Sequence, residues 1–409
     1  MSKEIIGDLR KTLKELKVQG TYKNEKIIVS PQGAKIRLEN GKKVLNFCSN
    51  NYLGLANNFW LKLAAIWAIL TRGLGLASVR FICGTQDIHK KLEKKISEFL
   101  GMEDTVLYSS CFDSNGGLFE PLLGENDAVI TDELNHRSII DGIRLCKASR
   151  FIYAHAEMGD FEKTDAAGKT IMGLERCLKK AQNCRYRMIA TDGVFSMDGD
   201  IAKLREICDL ADKYDALVMV DDSHATGYIG KTGRGTHEHC DVMGRVEIIT
   251  TTFGKALGGA SGGCVSGKKD IIEILRQNSP PYLFSNTLAP AIVGAAIKAL
   301  KMMSKSSKLC RRTMENAVYF REKMKQAGFD IKPGETSIVA VMIYDEPLTV
   351  KMADMLQKEG IYVRGFTYKV VPKGKARIRV QLSAAHSIDD LDKAVRAFIK
   401  VGKELGVIK

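Results

Sequence analysis

Short apolar runs alternate with amphipathic stretches between about residue 100 and residue 270. The predicted strands are Thr105–Tyr108, Ala128–Thr131, Arg187–Thr191, Leu217–Val220, Glu247–Thr251 and Gly263–Ser266. Between them, helical spacing of apolar residues predicts helices such as His89–Leu100, Ser138–Lys147 and Leu204–Tyr214. Continuous apolar runs separated by helices are typical of a mostly parallel sheet that is covered on both faces. The pattern therefore predicts an α/β fold.

Residues 331–409 follow a different pattern, in which strands and two helices mix in an α+β order. The predicted strands are Ile338–Ile343, Tyr362–Val363 and Ala376–Leu382. A long helix over Leu309–Gly328 would bridge the two parts. We therefore expect three regions, namely an N-terminal helix with short strands that packs near the small domain (1–50), a large domain (51–308) and a small C-terminal domain (309–409).

Composition and charge exclude several classes of protein. With 45% hydrophobic and 27% charged residues in 409, the chain is an ordinary globular one. The longest apolar stretches, such as Leu63–Leu70, are too short to cross a membrane. The net charge of +14 comes from basic residues spread along the whole chain, whereas nucleic-acid binders concentrate them. The charge therefore favours an anionic small substrate or cofactor over nucleic acid.

The cysteines and histidines predict neither disulfides nor a metal site. Ten cysteines are scattered without a C-x-x-C pair, which is typical of reduced thiols in a cytosol-like compartment. His237 and His239 stand two apart, but no further ligand follows, and we expect both at the surface. Acidic residues in the N-terminal helix argue against a transit peptide. We expect a cytoplasmic protein, or a mitochondrial matrix protein if such a peptide is missing from this chain.

Polar or glycine-rich turns follow five successive predicted strands. These turns are Ser109–Gly117, Asp132–His136, Asp192–Gly199, Asp221–Gly227 and Thr252–Gly259. In open α/β sheets, ligands bind beyond the carboxyl ends of the strands. The sequence therefore predicts an active site at this edge of the sheet.

Three features of these turns point to one cofactor. Lys255 lies among glycines after a buried strand, where desolvation would leave a nucleophilic amine; the alternative is an ordinary surface lysine. Asp221 could keep a pyridine nitrogen protonated, or it could merely cap the next helix. Backbone N–H groups in Ser110–Asn115 would open a helix and could hold a phosphate. Together, the three features predict a pyridoxal-phosphate site.

Five segments resemble the α-oxoamine synthases, fold-type I pyridoxal-phosphate enzymes that condense an amino acid with an acyl-CoA. The segments are Asn46–Leu55, Ser78–Asp87, Asp221–His224, Thr252–Gly259 and Lys373–Arg379, and the resemblance covers essentially the whole chain. It implies a large domain with a mostly parallel sheet flanked by helices, a smaller α+β C-terminal domain, and a homodimer with active sites at the subunit interface.

The segment Arg80–Gln86, where branches of this family differ, is similar to the branch that condenses glycine with acetyl-CoA. The implied products are 2-amino-3-oxobutanoate and CoA. The alternatives are 8-amino-7-oxononanoate, 5-aminolevulinate and sphingoid-base synthases, which use another acyl-CoA or amino acid. A non-catalytic subunit on the same fold is a more remote alternative, which would be expected to lack Lys255.

The resemblance also implies roles for single residues. Lys255 would bind the cofactor aldehyde and later take the α-proton of glycine. Asp221 would pair with the pyridine nitrogen, His224 with the phenolic oxygen, and His136 would stack on the ring. Ser196 would support the ring and the substrate, and Asn50 and Arg379 would bind the substrate carboxylate. The backbone of Cys111 and Phe112, together with Thr252, would bind the phosphate. Ser285 and Asn286 would bind the phosphate in the neighbouring subunit.

Two of these assignments, and the interpretation of one apolar segment, have alternatives in the sequence itself. His136 could cap the helix that begins near Ser138. Arg377 shares one face of its strand with Arg379, so periodicity cannot choose between them, and the resemblance chooses Arg379. The apolar segment Asn57–Leu70 could line a channel for a longer acyl chain. We expect it to pack in a core, because Leu63, Ile66, Trp67 and Leu70 fall at helical spacing.

Overall fold

The structure is a computed structural model that describes residues 2–18, 22–165, 168, 170–368 and 370–409. Its helices are α1 (Ser2–Val18), α2 (Phe59–Arg72), α3 (Asp87–Leu100), α4 (Cys111–Gly116), α5 (Phe119–Leu122), α6 (Arg137–Leu145), α7 (Leu174–Lys180), α8 (Leu204–Tyr214), α9 (Thr236–His239), α10 (Lys269–Asn278), α11 (Pro280–Phe284), α12 (Pro290–Met303), α13 (Lys308–Gln326), α14 (Glu346–Lys358) and α15 (Ile388–Glu404). Its strands are β1 (Lys35–Arg37), β2 (Lys43–Asn46), β3 (Asp104–Tyr108), β4 (Ala128–Asp132), β5 (Ser149–Tyr153), β6 (Glu162–Thr164), β7 (Thr170–Met172), β8 (Arg187–Asp192), β9 (Leu217–Asp221), β10 (Ile248–Thr252), β11 (Gly263–Gly267), β12 (Ile338–Tyr344), β13 (Ile361–Tyr362), β14 (Arg364–Phe366) and β15 (Ala376–Gln381).

A seven-stranded sheet forms the centre of the large part, in the order β3-β11-β10-β9-β8-β4-β5. The strand β11 runs antiparallel to both of its neighbours, and the other pairs are parallel. Each of the six apolar runs that predicted a strand forms one, with bounds shifted by one residue at most. The predicted α/β fold with a mostly parallel sheet is therefore confirmed.

The two faces of this sheet pack into separate apolar clusters. Along β8, Ile189 belongs to one cluster, while Met188 and Ala190 belong to the other. Along β9, Val220 and Met219 divide in the same way. Side chains alternate between the faces of a strand, so a continuous apolar run supplies both clusters at once. This explains why the strands read as unbroken apolar runs.

The C-terminal part has its own core. The sheet β12-β15-β14 packs against α13, α14 and α15 around side chains such as Phe320, Leu356 and Phe398. The N-terminal strands join this part, since β1 pairs with β2 and β2 pairs in parallel with β13. Phe47, directly after β2, belongs to the same apolar cluster.

The helix α2 contradicts the expectation that its apolar stripe packs in a core. Trp67 is 68% exposed and Leu70 is 74% exposed in this chain, and Leu63, Ile66 and Trp60 are exposed as well. The helix instead packs against α12 through a face of small residues. A Cβ on Gly294 would lie 2.7 Å from the Cβ of Ala68, so the backbones approach closely there. Leu61 is buried against the core of the chain, whereas Leu63, Ile66, Trp67 and Leu70 are left exposed.

Within the described residues, none of the helices combines the length and the apolar character needed to cross a membrane.

Candidate active site

The ends of three adjacent strands bring the predicted site residues together. Asp192 ends β8 and Asp221 ends β9, and the two are paired in the sheet register. Thr252 ends β10, which pairs with the other side of β9. The carboxyl ends of these parallel strands therefore meet at one edge, as expected for a binding site in a sheet of this kind.

Lys255 lies three residues beyond the end of β10 in a tight turn. The turn is narrow, since a Cβ on Gly254 would lie 2.8 Å from the backbone oxygen of Ala260. Burial lowers the pKa of the Lys255 amine, and the nearby Asp221 carboxylate opposes this shift in part. A lowered pKa leaves more of the amine unprotonated and hence nucleophilic.

Asp221 is buried and held by hydrogen bonds on both of its oxygens. The side-chain amide of Asn115 donates to Oδ2 at 2.6 Å, and the backbone N–H of Ser223 donates to Oδ1 at 3.0 Å. The Cys111 thiol lies 3.9 Å from both oxygens. Burial raises the pKa of this thiol well above its ordinary value, so it stays protonated beside the carboxylate. The sequence analysis did not single out Asn115, although it lies inside the predicted phosphate-binding turn.

His136 both caps a helix and offers its ring to the site. It is the N-cap of α6, where its Nδ1 accepts from the backbone N–H of Ser138 at 3.3 Å. Its own backbone N–H donates to Asp192 at 2.8 Å. The ring remains exposed, and its centroid lies 6.5 Å from that of Phe112. Capping and ring stacking are therefore compatible, because the cap uses Nδ1 and leaves a ring face free.

His224 is buried beside a tyrosine that the sequence analysis missed. The Tyr52 hydroxyl lies 2.7 Å from Nδ1 of His224. Burial and the nearby Lys255 lower the pKa of His224 well below its ordinary value. Burial raises the pKa of Tyr52, so the phenol keeps its proton. Its oxygen also lies 3.5 Å from Oδ1 of Asn50, a second acceptor.

The predicted phosphate-binding turn forms the short helix α4. Ser110 is its N-cap and accepts from the backbone N–H of Asp113 at 3.0 Å. The neighbouring strand β11 approaches closely, since a Cβ on Gly263 would lie 2.4 Å from the backbone nitrogen of Cys111. The Thr252 hydroxyl lies alongside and accepts from the Gly254 backbone N–H at 3.0 Å.

The segment that contains Ser285 and Asn286 follows α11 and lies beside this turn in the same chain. The backbone oxygen of Asn286 accepts from the Ser109 hydroxyl at 3.2 Å. Contact of Ser285 and Asn286 with the phosphate of a neighbouring subunit stays a prediction.

Two arginines on β15 have different partners, which bears on the choice that periodicity left open. Arg377 is buried and forms an ion pair with Asp198. Arg379 donates to the backbone oxygen of Ser196 at 2.8 Å and stacks its guanidinium 4.8 Å from the Phe366 ring centroid. Because Arg377 is already paired with a buried carboxylate, Arg379 is the arginine available for a substrate.

Gln381, which the sequence did not single out, lies between Asn50 and Arg379. The side-chain amide of Gln381 lies 2.7 Å from Asn50 Oδ1. The same amide lies 3.2 Å from Nε of Arg379. The structure therefore brings both residues predicted to bind a carboxylate to one place, between the two domains.

His155 links two of the loops at the site and was also missed. Its Nδ1 lies 3.1 Å from Asp132, which ends β4, and its Nε2 lies 2.6 Å from Asp200. The two carboxylates raise the pKa of His155 to about 10 in spite of burial. The imidazolium thus ties the loop that contains Ser196 to the sheet edge.

The other two histidines singled out in the sequence do not belong to this site. His239 is exposed, as expected, but His237 is buried, with its Nε2 3.0 Å from the backbone oxygen of Leu100. The surface prediction for His237 was therefore wrong, because the short helix α9 turns this side chain inward. Among the described residues, no cluster of three or more His, Cys, Asp or Glu side chains suits a metal ion.

Pyridoxal phosphate fits the residues at this edge of the sheet. Lys255 supplies an amine of lowered pKa, and the buried Asp221 supplies a carboxylate that lies within electrostatic reach of this amine. Glycine at position 263 lets β11 approach the backbone of Cys111, in the turn that would hold the phosphate. Combined with the sheet order, this site defines the class of fold-type I pyridoxal-phosphate enzymes.

Comparisons with known proteins agree with this class. The family model described as aminotransferase class I and II matches residues 42–398. The chain is 57% identical to 2-amino-3-ketobutyrate coenzyme A ligase of Escherichia coli K12, with all of both chains covered. It is 51% identical to the mitochondrial protein of the same name from Homo sapiens, over 99% of this chain and 94% of that one. The chain belongs to the class I and II aminotransferase family and, within it, to the group of the 2-amino-3-ketobutyrate coenzyme A ligases.

A solved structure supports the same assignment of fold and cofactor. A serine palmitoyltransferase of S. paucimobilis, solved with bound PLP–myriocin aldimine, superposes with a TM-score of 0.89 at 25% identity. The superposition covers 98% of each chain.

Proposed function

We propose that this chain condenses glycine with acetyl-CoA to give 2-amino-3-oxobutanoate and free CoA, with pyridoxal phosphate as the cofactor. The observation that carries the proposal is a buried Lys255 amine within electrostatic reach of the buried Asp221 carboxylate at the sheet edge. The chain also matches 2-amino-3-ketobutyrate coenzyme A ligases over its full length. When bound, pyridoxal phosphate supplies an aldehyde for amines and a ring that withdraws electrons from a carbon attached to the bound amine.

Lys255 and Asp221 perform the central proton chemistry. The Lys255 amine holds the cofactor until glycine takes its place, and it then accepts the α-proton of glycine. Its lowered pKa suits this role, because a base must be unprotonated before it can accept. Asp221, fixed by Asn115, keeps a proton on the ring nitrogen next to it, which favours electron withdrawal.

The two histidines orient the cofactor ring. His136 covers one face of it, and the N–H on Nε2 of His224 donates to its phenolic oxygen. When the Tyr52 hydroxyl donates to Nδ1, the ring proton of His224 is on Nε2, where it can be donated to the cofactor. Ser196 supports the ring and the substrate, and its backbone oxygen also holds Arg379 in position. The backbone of Cys111 and Phe112, together with Thr252, binds the phosphate.

The substrate carboxylate binds to Arg379 and Asn50. Arg379 offers a bidentate pair of N–H groups, and Gln381 connects the two residues. Glycine is favoured over larger amino acids, because its α-carbon must accept an acyl group beside the ring and His136. The net charge of +14 favours an acyl donor with the phosphates of CoA.

A homodimer accounts for the apolar face of α2. Phe59, Trp60, Ile66, Trp67 and Leu70 are exposed in the single chain, and large exposed apolar patches mark interaction sites. In this dimer, Ser285 and Asn286 reach the phosphate of the neighbouring active site. The ten unpaired cysteines suit a reducing compartment, and we propose a cytoplasmic location.

Substrate choice is tested by measuring CoA release with glycine and acyl-CoAs of two, four, eight and sixteen carbons. The proposal predicts that acetyl-CoA is used with the highest kcat/KM, and that serine and alanine replace glycine poorly. A preference for eight or more carbons, or for serine or alanine, would favour another α-oxoamine synthase. A colourless purified protein that binds no pyridoxal phosphate would instead favour a non-catalytic subunit.

A further inference from the structure

A chain of buried hydrogen bonds connects the two sides of the proposed cofactor site. Nδ2 of Asn115 donates to Oδ2 of Asp221 at 2.6 Å and to Oγ of Ser138 at 2.8 Å. The Ser138 oxygen in turn lies 2.7 Å from Nδ1 of His136. Asn115 and Ser138 are both buried, so these contacts exchange little with water.

The direction of each hydrogen bond follows from the chemistry of the groups. The ionised Asp221 carboxylate only accepts, so the Asn115 atom beside it must be the amide nitrogen. In this orientation, the Thr250 hydroxyl donates to Oδ1 of Asn115 at 2.8 Å. An amide nitrogen only donates, so the Ser138 oxygen accepts from Asn115 and keeps its own proton for His136.

Nδ1 of His136 therefore receives two donors, the Ser138 hydroxyl at 2.7 Å and the Ser138 backbone N–H at 3.3 Å. A nitrogen that accepts two hydrogen bonds carries no proton. Protonation of Nδ1 would turn a donor toward the backbone N–H and leave the buried hydroxyl proton of Ser138 without its acceptor. An unpaired buried donor costs about 1–3 kcal/mol.

We propose that Asn115 and Ser138 are positioning residues that hold His136 neutral, with its proton on Nε2, and orient Asp221 through the same amide group. The ring that would cover the cofactor is then uncharged, and its one remaining ring proton is on Nε2. One amide thus fixes the Asp221 carboxylate and, through Ser138, the protonation of His136. The catalytic consequence rests on the proposed function, whereas the protonation of His136 does not.

Other charged groups around His136 act in both directions. Desolvation by the surrounding protein lowers the pKa of His136, although the residue keeps an exposed surface; Asp221 opposes this effect and Lys255 adds to it. Asp192 accepts from the backbone N–H of His136 and His224 lies within electrostatic reach. Arg137, the next residue, is paired with Asp141. The hydrogen bonds from Asn115 through Ser138 act on the pKa of His136 in addition to these charges. Their contribution can be isolated by a substitution that removes a hydroxyl without removing a charge.

The test is NMR of the holoenzyme with isotope-labelled histidine, since the chain has only seven histidines. The His136 signals are assigned by their absence in His136→Asn. We expect Nδ1 to have the chemical shift of an unprotonated, hydrogen-bonded ring nitrogen at neutral pH. In Ser138→Ala, the measured pKa of His136 should rise by about 1, the equivalent of one lost hydrogen bond. The acid limb of the kcat/KM profile should move to higher pH by the same amount.

Three further variants keep the result interpretable. Thr250→Val removes the hydroxyl that orients Asn115 and should raise the pKa of His136, while Thr250→Ser should restore it. Ser266→Ala removes another buried hydroxyl of the same sheet, which bonds Thr105 at 2.8 Å, and should leave His136 unchanged. A proton on Nδ1 in the wild-type protein, or an unchanged pKa in both Ser138→Ala and Thr250→Val, would overturn the proposal. If the wild-type holoenzyme shows the expected His136 spectrum but does not condense glycine with acetyl-CoA, the result would instead count against the proposed function.

Discussion

The strands at the carboxyl edge of the central sheet and the helix α2 both have strong apolar patterns. The rest of this chain buries the apolar residues of the strands, but it leaves most of those on α2 exposed. At the sheet edge, β8 and β9 are buried on both faces, and their last residues, Asp192 and Asp221, meet in register. On α2, the large apolar residues such as Trp67 and Leu70 remain exposed. The comparison shows that an apolar pattern predicts which surface is covered, but not which molecule covers it.

The largest expected effect is at the sheet edge. Lys255→Ala removes the amine that holds the cofactor and accepts the α-proton, and turnover should fall to background. The phosphate-binding turn and Asp221 remain, so much of the cofactor affinity should persist. CoA release and cofactor absorbance measure the two properties separately. Lys268→Ala, at an exposed lysine paired with Glu103, should retain full turnover. Substantial condensation by Lys255→Ala would contradict the role of this lysine.

A second substitution at the same edge should preserve binding but slow the chemistry. Asp221→Asn removes the charge that keeps the ring nitrogen protonated, so α-proton exchange of glycine into deuterated water should slow by about a hundred-fold or more. Proton NMR of glycine with the holoenzyme measures this rate. Near-normal exchange would show that another residue supplies the charge.

The α2 face should respond to substitution in a different way, through assembly. Trp67→Glu and Leu70→Glu place charges on the proposed dimer face, and each should weaken association by roughly thirty-fold, about 2 kcal/mol per anchor. Sedimentation velocity over a concentration series measures the dimer dissociation constant. Val318→Glu is a matched control, since it places the same charge at an exposed apolar position of α13. An unchanged dimer dissociation constant in both α2 variants would mean that a surface other than α2 forms the dimer interface.

The smallest effect concerns the loop that His155 ties to the sheet edge. The pKa of His155 in the folded chain is about 10, above its ordinary value of 6.5. Its stabilising effect is therefore complete below about pH 6.5 and is lost as the pH rises toward 10. His155→Gln should lower the free energy of unfolding by about 1–3 kcal/mol at neutral pH, and the difference should shrink near pH 10.

Urea titrations at the two pH values measure this difference. His239→Gln, at an exposed histidine 3.5 Å from Glu335, should change stability little at either pH. A His155→Gln difference that is the same at both pH values would show that charge on His155 does not contribute.

Much of the fold and part of the site could be predicted from the sequence, for physical reasons. Apolar runs located the strands, because burial on both faces removes polar residues from them. Lys255 and Asp221 stood out because each directly follows such a run. The partners of the site residues could not be found in this way. Asn115 lies 106 positions before Asp221, and Tyr52 lies 172 positions before His224, so only the fold brings them into contact.

The prediction for α2 was wrong for a related reason. Its helical spacing correctly indicated an apolar face over Leu63–Leu70, but periodicity describes one helix and carries no information about its neighbours. The small residues Ala64 and Ala68, which pack against Gly294, were the signal that another face turns toward the chain's own core.

Reduction of the purified holoenzyme with borohydride, followed by peptide mapping, tests the central claim most directly. Reduction makes the bond between the cofactor and its lysine permanent, and the labelled peptide then identifies that lysine. The account predicts a single labelled residue, Lys255, and loss of the label when glycine is added in excess before reduction. A label on any other lysine, or a protein that takes up no label, would contradict it.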